Sequence, residues 1–216
     1  MTGAGERLRE ELRGLRDSMG EDQATRLHRA VSWLRCAENY QDSDDDVSFI
    51  TSWIAFNACY AIDTEYSKST FVQEFKEHIA KVVALDEEKV IYNILWFQFS
   101  KFIRTIIDNH FIYRGFWEAQ KTGDSWEESF EAEKKYAYKA LANNDVPGLL
   151  SVTINRLYVL RNQLIHGGAT WQSQVNRSQV KDGKNLMLHL LPAVIKIMFK
   201  EEDWGPIEFP VIKEGQ

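Results

Sequence analysis

The sequence predicts an all-α protein with a single domain, and three observations lead to that prediction. Apolar residues recur at steps of three and four along most of the chain, as they do on one face of an α-helix. Only 4 Pro and 12 Gly interrupt the 216 residues, too few for the many turns of a β-sandwich or barrel. A chain of this length can bury its apolar surface in one core, and no internal repeat or long linker divides it. We therefore expect one helical bundle.

The apolar spacing also divides the chain into three parts. Residues 1–20 form an amphipathic N-terminal helix that Gly20 can end. Residues 21–200 form the main helical domain, and 201–216 form an extended tail that we expect Trp204 and Phe209 to pin to the helices. The helices predicted in the main domain are 21–40, 49–60, 71–83, 87–110, 124–143, 147–166 and 183–199.

Two neighbouring segments have distinct predicted roles. The helix 49–60 is apolar on nearly all sides, which predicts that it lies in the centre of the bundle. Its Asn57 is either a core amide or a polar group beside a functional cleft. The acidic run 42–46 precedes this helix and predicts a solvated loop that caps it.

Charge is distributed unevenly along the chain. The net charge is −6, which argues against a protein that coats nucleic acid without specificity. Residues 151–200 nevertheless contain seven basic groups and one acid, a net charge of +6, so the rest of the chain carries −12. Such a basic segment can concentrate an anionic substrate, although a solvated helix face is the alternative interpretation.

Several classes of protein are disfavoured by what the sequence lacks. Cys36 and Cys59 stand apart from each other, as reduced thiols of a cytosolic protein do. The first twenty residues have no apolar signal core, and charges interrupt the most apolar stretches, so we expect a cytoplasmic protein without a membrane partner. The five histidines lack the spacing of metal ligands, and no glycine-rich phosphate loop or nucleophile elbow is present. We expect no metal and no cofactor.

One segment combines the residue types that metal-free RNA cleavage needs. It runs Arg161-Asn162-Gln163-Leu164-Ile165-His166 and is followed by two glycines that can end a helix. Cleavage needs a group that takes the 2′-hydroxyl proton, an acid for the leaving 5′-oxygen and a fixed cation for the phosphorane-like charge. A histidine with a pKa of about 6.5 serves both proton transfers, and the planar arginine fork binds two phosphate oxygens. The products would be 2′,3′-cyclic phosphate and 5′-hydroxyl ends.

Helix geometry limits how these side chains can cooperate. Five steps of about 100° place Arg161 and His166 about 140° apart around the helix. Asn162 lies on the same face as His166, so it can orient the imidazole or bind a phosphate. The intervening Gln163, Leu164 and Ile165 carry no predicted role.

On these residues the chain resembles the HEPN superfamily, whose ribonucleases carry an Arg, a polar residue and a His near a helix end. The resemblance covers about residues 21–200 and also includes the aromatic helix 49–60 and the apolar closing helix. It implies an up-and-down helical bundle and a homodimer in which two copies join Arg161 and His166 in one composite cleft. It further implies a toxin or defence role, with an antitoxin or another regulatory protein as partner.

The sequence therefore predicts a metal-independent endoribonuclease that acts on RNA. Arg161, His166 and Asn162 are its predicted catalytic residues. The predicted substrate-binding residues are Arg156, Arg177, Lys181 and Lys184. Two other functions stay open: a non-catalytic HEPN-like module for dimerisation or protein interaction, and a bundle that binds a nucleotide or another small ligand. In either case Arg161 would neutralise neighbouring acids and His166 would favour the negative end of its helix.

Three further observations qualify this prediction. Arg104 and His110 fit a looser form of the motif, but they lack the adjacent polar residue and the glycine stop. Tyr158 and Trp171 can stack on bases, although packing is the favoured interpretation for both. HEPN toxins paired with a nucleotidyltransferase antitoxin commonly carry a tyrosine two positions after the motif histidine. Gly168 stands there in this chain, so regulation by tyrosine modification at that position is not supported.

Overall fold

A computed structural model of the protein describes residues 3–60, 68–174, 176–201, 203–207 and 209, with backbone only for 68–74. These described residues form ten α-helices and no β-strand, which confirms the all-α prediction. The helices are α1 Ala4–Leu15, α2 Glu21–Tyr40, α3 Asp45–Tyr60, α4 Lys68–Ala84, α5 Val90–Asn93, α6 Ser100–Asp108, α7 Arg114–Thr122, α8 Glu127–Asn143, α9 Val146–Ile165 and α10 Arg177–Met198. The HEPN-like arrangement stays a prediction.

The centre of the molecule is α3, which packs against α2 on one side and α10 on the other. Phe49 and Trp53 of α3 are fully or almost fully buried, as the apolar pattern predicts. A Cβ atom on Gly183 would lie 3.3 Å from Phe49 and 3.1 Å from Leu157 of α9. Gly183 therefore allows α10 to approach α3 and α9 more closely than a residue with a side chain would.

The N-terminal helix α1 belongs to the same core. Leu8 and Leu12 are buried in the cluster that also contains residues of α2, α3, α9 and α10. The backbone N–H of Gly5 donates to both carboxylate oxygens of Glu38, at 3.0 and 3.1 Å. Because an anion favours the N-terminus of a helix, this contact fixes α1 against α2 as well as satisfying a free N–H group.

The single helix predicted over 87–110 is divided in the structure. A π-helical turn, Ile94–Gln98, follows α5, and Phe99 has non-helical dihedral angles before α6 begins. The N–H of Phe99 bonds to the carbonyl of Ile94, five residues earlier, so the turn accommodates one extra residue. This shift changes which positions of α6 face the core. The sequence prediction missed it because the apolar pattern continues through the turn.

Two further boundaries differ from the prediction. A 3₁₀ turn, His110–Ile112, and the helix α7 occupy a stretch that the apolar pattern left unassigned. Helix α10 begins at Arg177 rather than near Gly183, and it continues through Pro192 to Met198. Among the described residues, no helix combines the length and the apolar character that crossing a bilayer requires.

The C-terminal tail is held by Trp204. Its side chain is 5% exposed, and its indole Nε1 donates to the carbonyls of Met198 and Glu201. Phe209, which we expected to pin the tail together with Trp204, is 69% exposed. That expectation was wrong for Phe209, because most of its surface is exposed to solvent.

Arg26 of α2 fixes the same tail from the other side. Its side chain is buried, and Nη2 donates to the carbonyls of Gly205 and Pro206, at 3.0 and 2.9 Å. Nη1 donates to the carbonyl of Cys59 at the end of α3, at 3.2 Å. One buried guanidinium therefore links α2, α3 and the tail, and it supplies donors to three backbone carbonyl groups.

His78 of α4 completes this contact region as a buried neutral base. Its ring centroid lies 5.1 Å from that of Trp204 and 6.2 Å from that of Tyr60. Burial, together with the nearby cations of Arg26 and Lys81, lowers the pKa of His78 to about 3. The imidazole is consequently uncharged near neutral pH.

We expect Trp204→Ala to lower the free energy of unfolding by about 3–5 kcal/mol, because a large buried ring leaves a cavity and its indole hydrogen bonds are lost. Chemical denaturation of the full chain measures this. Phe209→Ala is the matched control in the same tail and should change stability by less than about 0.5 kcal/mol. Equal effects of the two substitutions would contradict the contact described for Trp204.

We expect His78 to make stability depend on pH between about 6.5 and 3. The pKa of His78 is lower in the folded than in the unfolded chain, so the unfolded chain binds more protons in this interval. Stability is complete above about pH 6.5 and falls as the pH is lowered, by up to about 1.4 kcal/mol per pH unit. Denaturation midpoints from pH 7 to 4.5 should fall less steeply in His78→Gln, and identical slopes would contradict the assignment.

Candidate active site around Arg161 and His166

Helix α9 carries the motif at its C-terminal end. Its N-terminus is capped by Asp145, whose side chain accepts a hydrogen bond from the N–H of Gly148 at 3.0 Å. The last helical residue is Ile165, and Gly167 has a φ of +71°, the left-handed conformation that commonly ends a helix. The N–H of Gly168 then bonds to the carbonyl of Gln163 at 2.7 Å. The predicted stop at the two glycines is therefore confirmed.

Asn162 holds the guanidinium of Arg161. Arg161 Nη1 donates to Asn162 Oδ1 at 2.9 Å, while Arg161 Nε is buried and has no hydrogen-bond partner. The guanidinium carbon lies 5.9 Å from the ring centroid of Tyr158, one turn earlier on α9. Tyr158 in turn lies 5.9 Å from the ring of Trp53 on α3. Arg161 is thus half-buried and directed along the side of α9 that faces α3.

His166 is placed differently. It occupies the position after the last helical residue, its backbone N–H bonds to the carbonyl of Asn162, and its side chain is exposed. Among the described residues, the imidazole is joined to no partner by a hydrogen bond or an ion pair. The structure therefore brings Arg161 to Asn162 but does not bring either side chain to the His166 ring. The angular separation predicts this for Arg161, whereas Asn162 shares the face of His166 and binds the guanidinium instead.

Gln163 joins the motif by hydrogen bonds to two other segments of the chain. Its Nε2 donates to the carbonyl of Phe111 at 2.7 Å, and its Oε1 accepts from Nδ2 of Asn176 at 3.0 Å. The sequence analysis gave Gln163 no role. No local signal could have revealed one, because the partners lie 52 and 13 positions away along the chain.

An exposed aromatic surface lies beside the motif helix. The carbonyl of Phe111 also accepts a hydrogen bond from Trp117 Nε1, at 2.7 Å. The rings of both residues are among the exposed large apolar side chains of the protein, as is Ile165 on α9. The bond to Gln163 fixes this aromatic surface relative to the end of α9.

Arg156, predicted to bind substrate, lies in the interior instead. Its side chain is 1% exposed and pairs with Glu133 of α8, with Nη2 and Oε1 3.0 Å apart. The guanidinium also lies over the rings of Tyr113 and Phe130, at 4.8 and 5.2 Å. Burial lowers the pKa of Arg156, and Glu133 opposes that shift. The prediction for Arg156 requires correction, because the residue joins α8 to α9 and has no surface to offer a phosphate.

The acidic run 42–46 caps α3, as expected. Asp44 Oδ1 accepts hydrogen bonds from the N–H groups of Asp46 and Val47, each at 3.0 Å. These are N–H groups of the first turn of α3, which have no partner within the helix. The same hydrogen bonds help to lower the pKa of Asp44, against a raising effect of burial.

The acidic run is not simply solvated, however, because it pairs with the basic segment. Asp46 forms an ion pair with Arg177 and also accepts from the N–H of Gln172 at 2.8 Å. Asp45 pairs with Lys184 at 2.7 Å. Asp46 and Lys184 are buried, and Arg177 is half-buried. The predicted substrate-binding roles of Arg177 and Lys184 require correction, since both cations already bind carboxylates of α3.

Lys181 is the exception among the four predicted substrate-binding residues. It is exposed on α10, and no ion pair within the described part of the chain involves it. The charge of +6 between residues 151 and 200 is therefore not a continuous cationic surface. Much of it is neutralised by acids from distant parts of the sequence.

Of the remaining candidate residues, His110 and Asn57 contact other side chains of the bundle. His110 packs among aromatic rings, with its centroid 4.1 Å from Phe111 and 5.1 Å from Trp126, whereas Arg104 is exposed on α6. Asn57 Oδ1 accepts from the hydroxyl of Tyr60 at 3.1 Å.

The two aromatic side chains that we expected to pack are exposed. Trp171 is 69% exposed, and its indole donates to Asp44 Oδ2 at 2.7 Å. Tyr158 is 38% exposed and packs against Trp53. Tyr158 is thus only partly packed, and Trp171 is not buried. Both rings keep exposed surface, Tyr158 on the motif helix and Trp171 on the loop that follows it.

A cavity of about 290 Å³ separates the acidic run from the loop that follows the motif. Its lining residues are Asp42, Ser43, Asp44, Asp45, Gln172, Gln174 and Arg177. Neither Arg161 nor His166 lines it. Within the described residues, no group of three or more His, Cys, Asp or Glu side chains is arranged to hold a metal ion.

We expect Asp46→Asn to lower the free energy of unfolding by about 1–3 kcal/mol, because the charge of the half-buried Arg177 loses its partner. Urea denaturation measures the change. Asp42→Asn, on the exposed start of the same run, should have an effect below about 0.5 kcal/mol. If both substitutions were neutral, the contact between α3 and α10 would not contribute to stability.

Comparisons with known proteins add no family to this geometry. No protein-family model, no curated protein and no solved structure significantly matches the chain.

Proposed function

We propose that the protein is a metal-independent endoribonuclease in which Arg161, Asn162 and His166 act on the scissile phosphate. One observation carries the proposal. At the end of α9, Asn162 holds the guanidinium of Arg161 at 2.9 Å, while the imidazole of His166 is exposed and has no competing partner among the described residues. A fixed cation and an accessible imidazole are the two components that the chemistry needs.

In the proposed reaction, neutral His166 takes the proton of a 2′-hydroxyl, and the resulting alkoxide attacks the adjacent phosphorus. The bond from phosphorus to the 5′-oxygen breaks, and that oxygen receives a proton from an imidazolium. The products are a 2′,3′-cyclic phosphate and a 5′-hydroxyl. Arg161 binds the non-bridging oxygens, whose negative charge increases at the transition state. The half-buried position of Arg161 supports this role, since Asn162 fixes its guanidinium while part of the side chain stays accessible.

A homodimer is part of the proposal, because one chain does not bring its own Arg161 and His166 together. The two side chains leave α9 about 140° apart, and the guanidinium of Arg161 donates to Asn162 rather than meeting His166. A second copy related by a two-fold axis would set its own motif beside the first, so that each phosphate meets groups from both chains. The exposed aromatic surface of Phe111, Trp117 and Ile165 beside α9 is consistent with such a contact.

The charge pattern favours a selected substrate over RNA in general. Of the four predicted substrate-binding residues, Lys181 alone remains exposed and unpaired in the described part of the chain. Few phosphate contacts give weak, weakly salt-dependent binding. The RNA would therefore be recognised as a particular structure or delivered by a partner. A toxin or defence role in the cytoplasm, with an antitoxin or other regulator, rests on the HEPN resemblance alone.

A non-catalytic interaction module is the second candidate, and the paired cations favour it. Arg156, Arg177 and Lys184 each form an ion pair with a carboxylate of the chain, while Phe111, Trp117 and Trp171 are exposed. Exposed aromatic rings are typical of protein–protein interfaces. In this case the end of α9 would bind a partner protein, and Arg161 would be a structural cation.

We expect purified protein to cleave RNA in the presence of EDTA and to leave cyclic phosphate ends. His166→Ala and Arg161→Ala should each lower the cleavage rate by about 10²-fold or more, because each removes a group that acts in the transition state. Mapping of the cut ends in total tRNA and mRNA measures both the rate and the chemistry.

The matched control is His28→Ala, which removes an exposed histidine on α2. It should cleave at the wild-type rate, which would separate loss of the motif from loss of a surface imidazole. Sedimentation of each variant reports its oligomeric state. Absence of cleavage by a folded dimer would favour the interaction module, and cleavage that His166→Ala leaves intact would exclude His166 as the proton-transferring group.

A further inference from the structure

A second cavity, remote in sequence from the motif, has the composition of a small-molecule site. Its volume is about 420 Å³, within the usual range for ligand pockets. It opens where the end of α4, the start of α5 and the α8–α9 connection meet. Its lining residues are Val83, Asp86, Lys89, Tyr92, Asn144 and Val146.

Two of these residues hold the left-handed backbone conformation. Lys89 has a φ of +53° and Asn144 a φ of +55°. Asparagine adopts this conformation readily, but for lysine it is unfavourable because Cβ crowds the backbone. The fold thus retains a strained lysine at the rim of the cavity, and strained residues of this kind concentrate at ligand-binding sites.

Two donors of the cavity are available to a ligand. Tyr92 donates its hydroxyl to Asn144 Oδ1 at 3.3 Å, and Asn144 Nδ2 is exposed with no hydrogen bond within the described residues. Lys89 is exposed and, within the same part of the chain, forms no ion pair. The carboxylate of Asp86 also lines the cavity, and its two oxygens accept from the N–H groups of Val90 and Ile91, at 2.9 and 2.8 Å, which partly offset its negative charge.

The apolar side of the cavity is aromatic and aliphatic. The ring of Tyr92 stacks on that of Trp96, with centroids 4.7 Å apart and an interplanar angle of 20°. Trp96 is itself fixed, because its Nε1 donates to the carbonyl of Leu141 at 3.2 Å. The pair forms a supported aromatic platform, of which Tyr92 reaches the cavity together with Val83 and Val146.

We propose that this cavity binds a small planar aromatic molecule that carries one anionic group. The aromatic plane packs against Tyr92 and the two valines, the ammonium of Lys89 pairs with the anion, and the amide of Asn144 donates to it. One anionic group is specified because Lys89 is the one cation among the described lining residues, whereas Asp86, the one acid among them, is engaged by the N–H groups of Val90 and Ile91. This site does not involve Arg161 or His166, so the inference stands apart from the proposed ribonuclease function.

The test is calorimetric titration of the full chain with indole-3-acetate, which has both required parts. Indole-3-acetamide, which lacks the charge, and acetate, which lacks the ring, are the matched probes. Indole-3-acetate should bind about fivefold or more tightly than either, as expected for one partly exposed charge pair and one stacked ring. Equal binding of the acid and the amide, or no binding of the acid at millimolar concentration, would overturn the proposal.

Variants chosen for the left-handed backbone keep the fold intact. Lys89→Asn removes the charge, and asparagine tolerates the positive φ at this position. Asn144→Gly removes the side-chain amide, and glycine also tolerates a positive φ. Each should weaken indole-3-acetate binding by about fivefold, whereas Lys89→Arg and the remote Lys101→Ala should not. Thermal unfolding of each variant confirms folding. Wild-type affinity in Lys89→Asn would overturn the assignment of the anion-binding group.

Discussion

The contact between the N-terminus of α3 and the start of α10 determines how the rest of the candidate site is arranged. Asp46 binds Arg177 and the backbone of Gln172, and Asp45 binds Lys184, so two segments about 130 positions apart are joined by charge. The loop that joins α9 to α10 contains Gln172 and ends at Arg177, and both residues bind Asp46. The loop that follows the motif is therefore held by carboxylates that belong to another helix.

The same contact changes the electrostatics of the protein. Counted along the chain, residues 151–200 carry a net +6, but folding pairs Arg156, Arg177 and Lys184 with acids. A charge removed from water is stable only when it is paired, so the interior positions of these cations require their partners. What remains for an anionic substrate is a small number of exposed groups at the end of α9 and on α10. The proposed ribonuclease would consequently depend on substrate structure or a delivering partner.

A second set of contacts holds the C-terminal tail against the helices. Arg26 and Trp204 fix the tail to α2 and to the end of α10, and His78 is buried against the same indole as a neutral base. A histidine surrounded by Arg26 and Lys81 is kept uncharged by burial and by like charge. The tail is therefore a structural part of the bundle, and its contacts link stability to the protonation of one side chain.

The sequence by itself determined the features that arise from local physics: the helices with an uninterrupted apolar period, the glycine stop after His166 and the cap that Asp44 provides for α3. Each depends on residues within a few positions of one another. Only the tertiary structure decided the π-helical turn before Phe99, the burial of Arg156 and the bridge that Gln163 makes between two distant segments. These depend on which helices pack together, and the periodicity of a single segment carries no information about its partner.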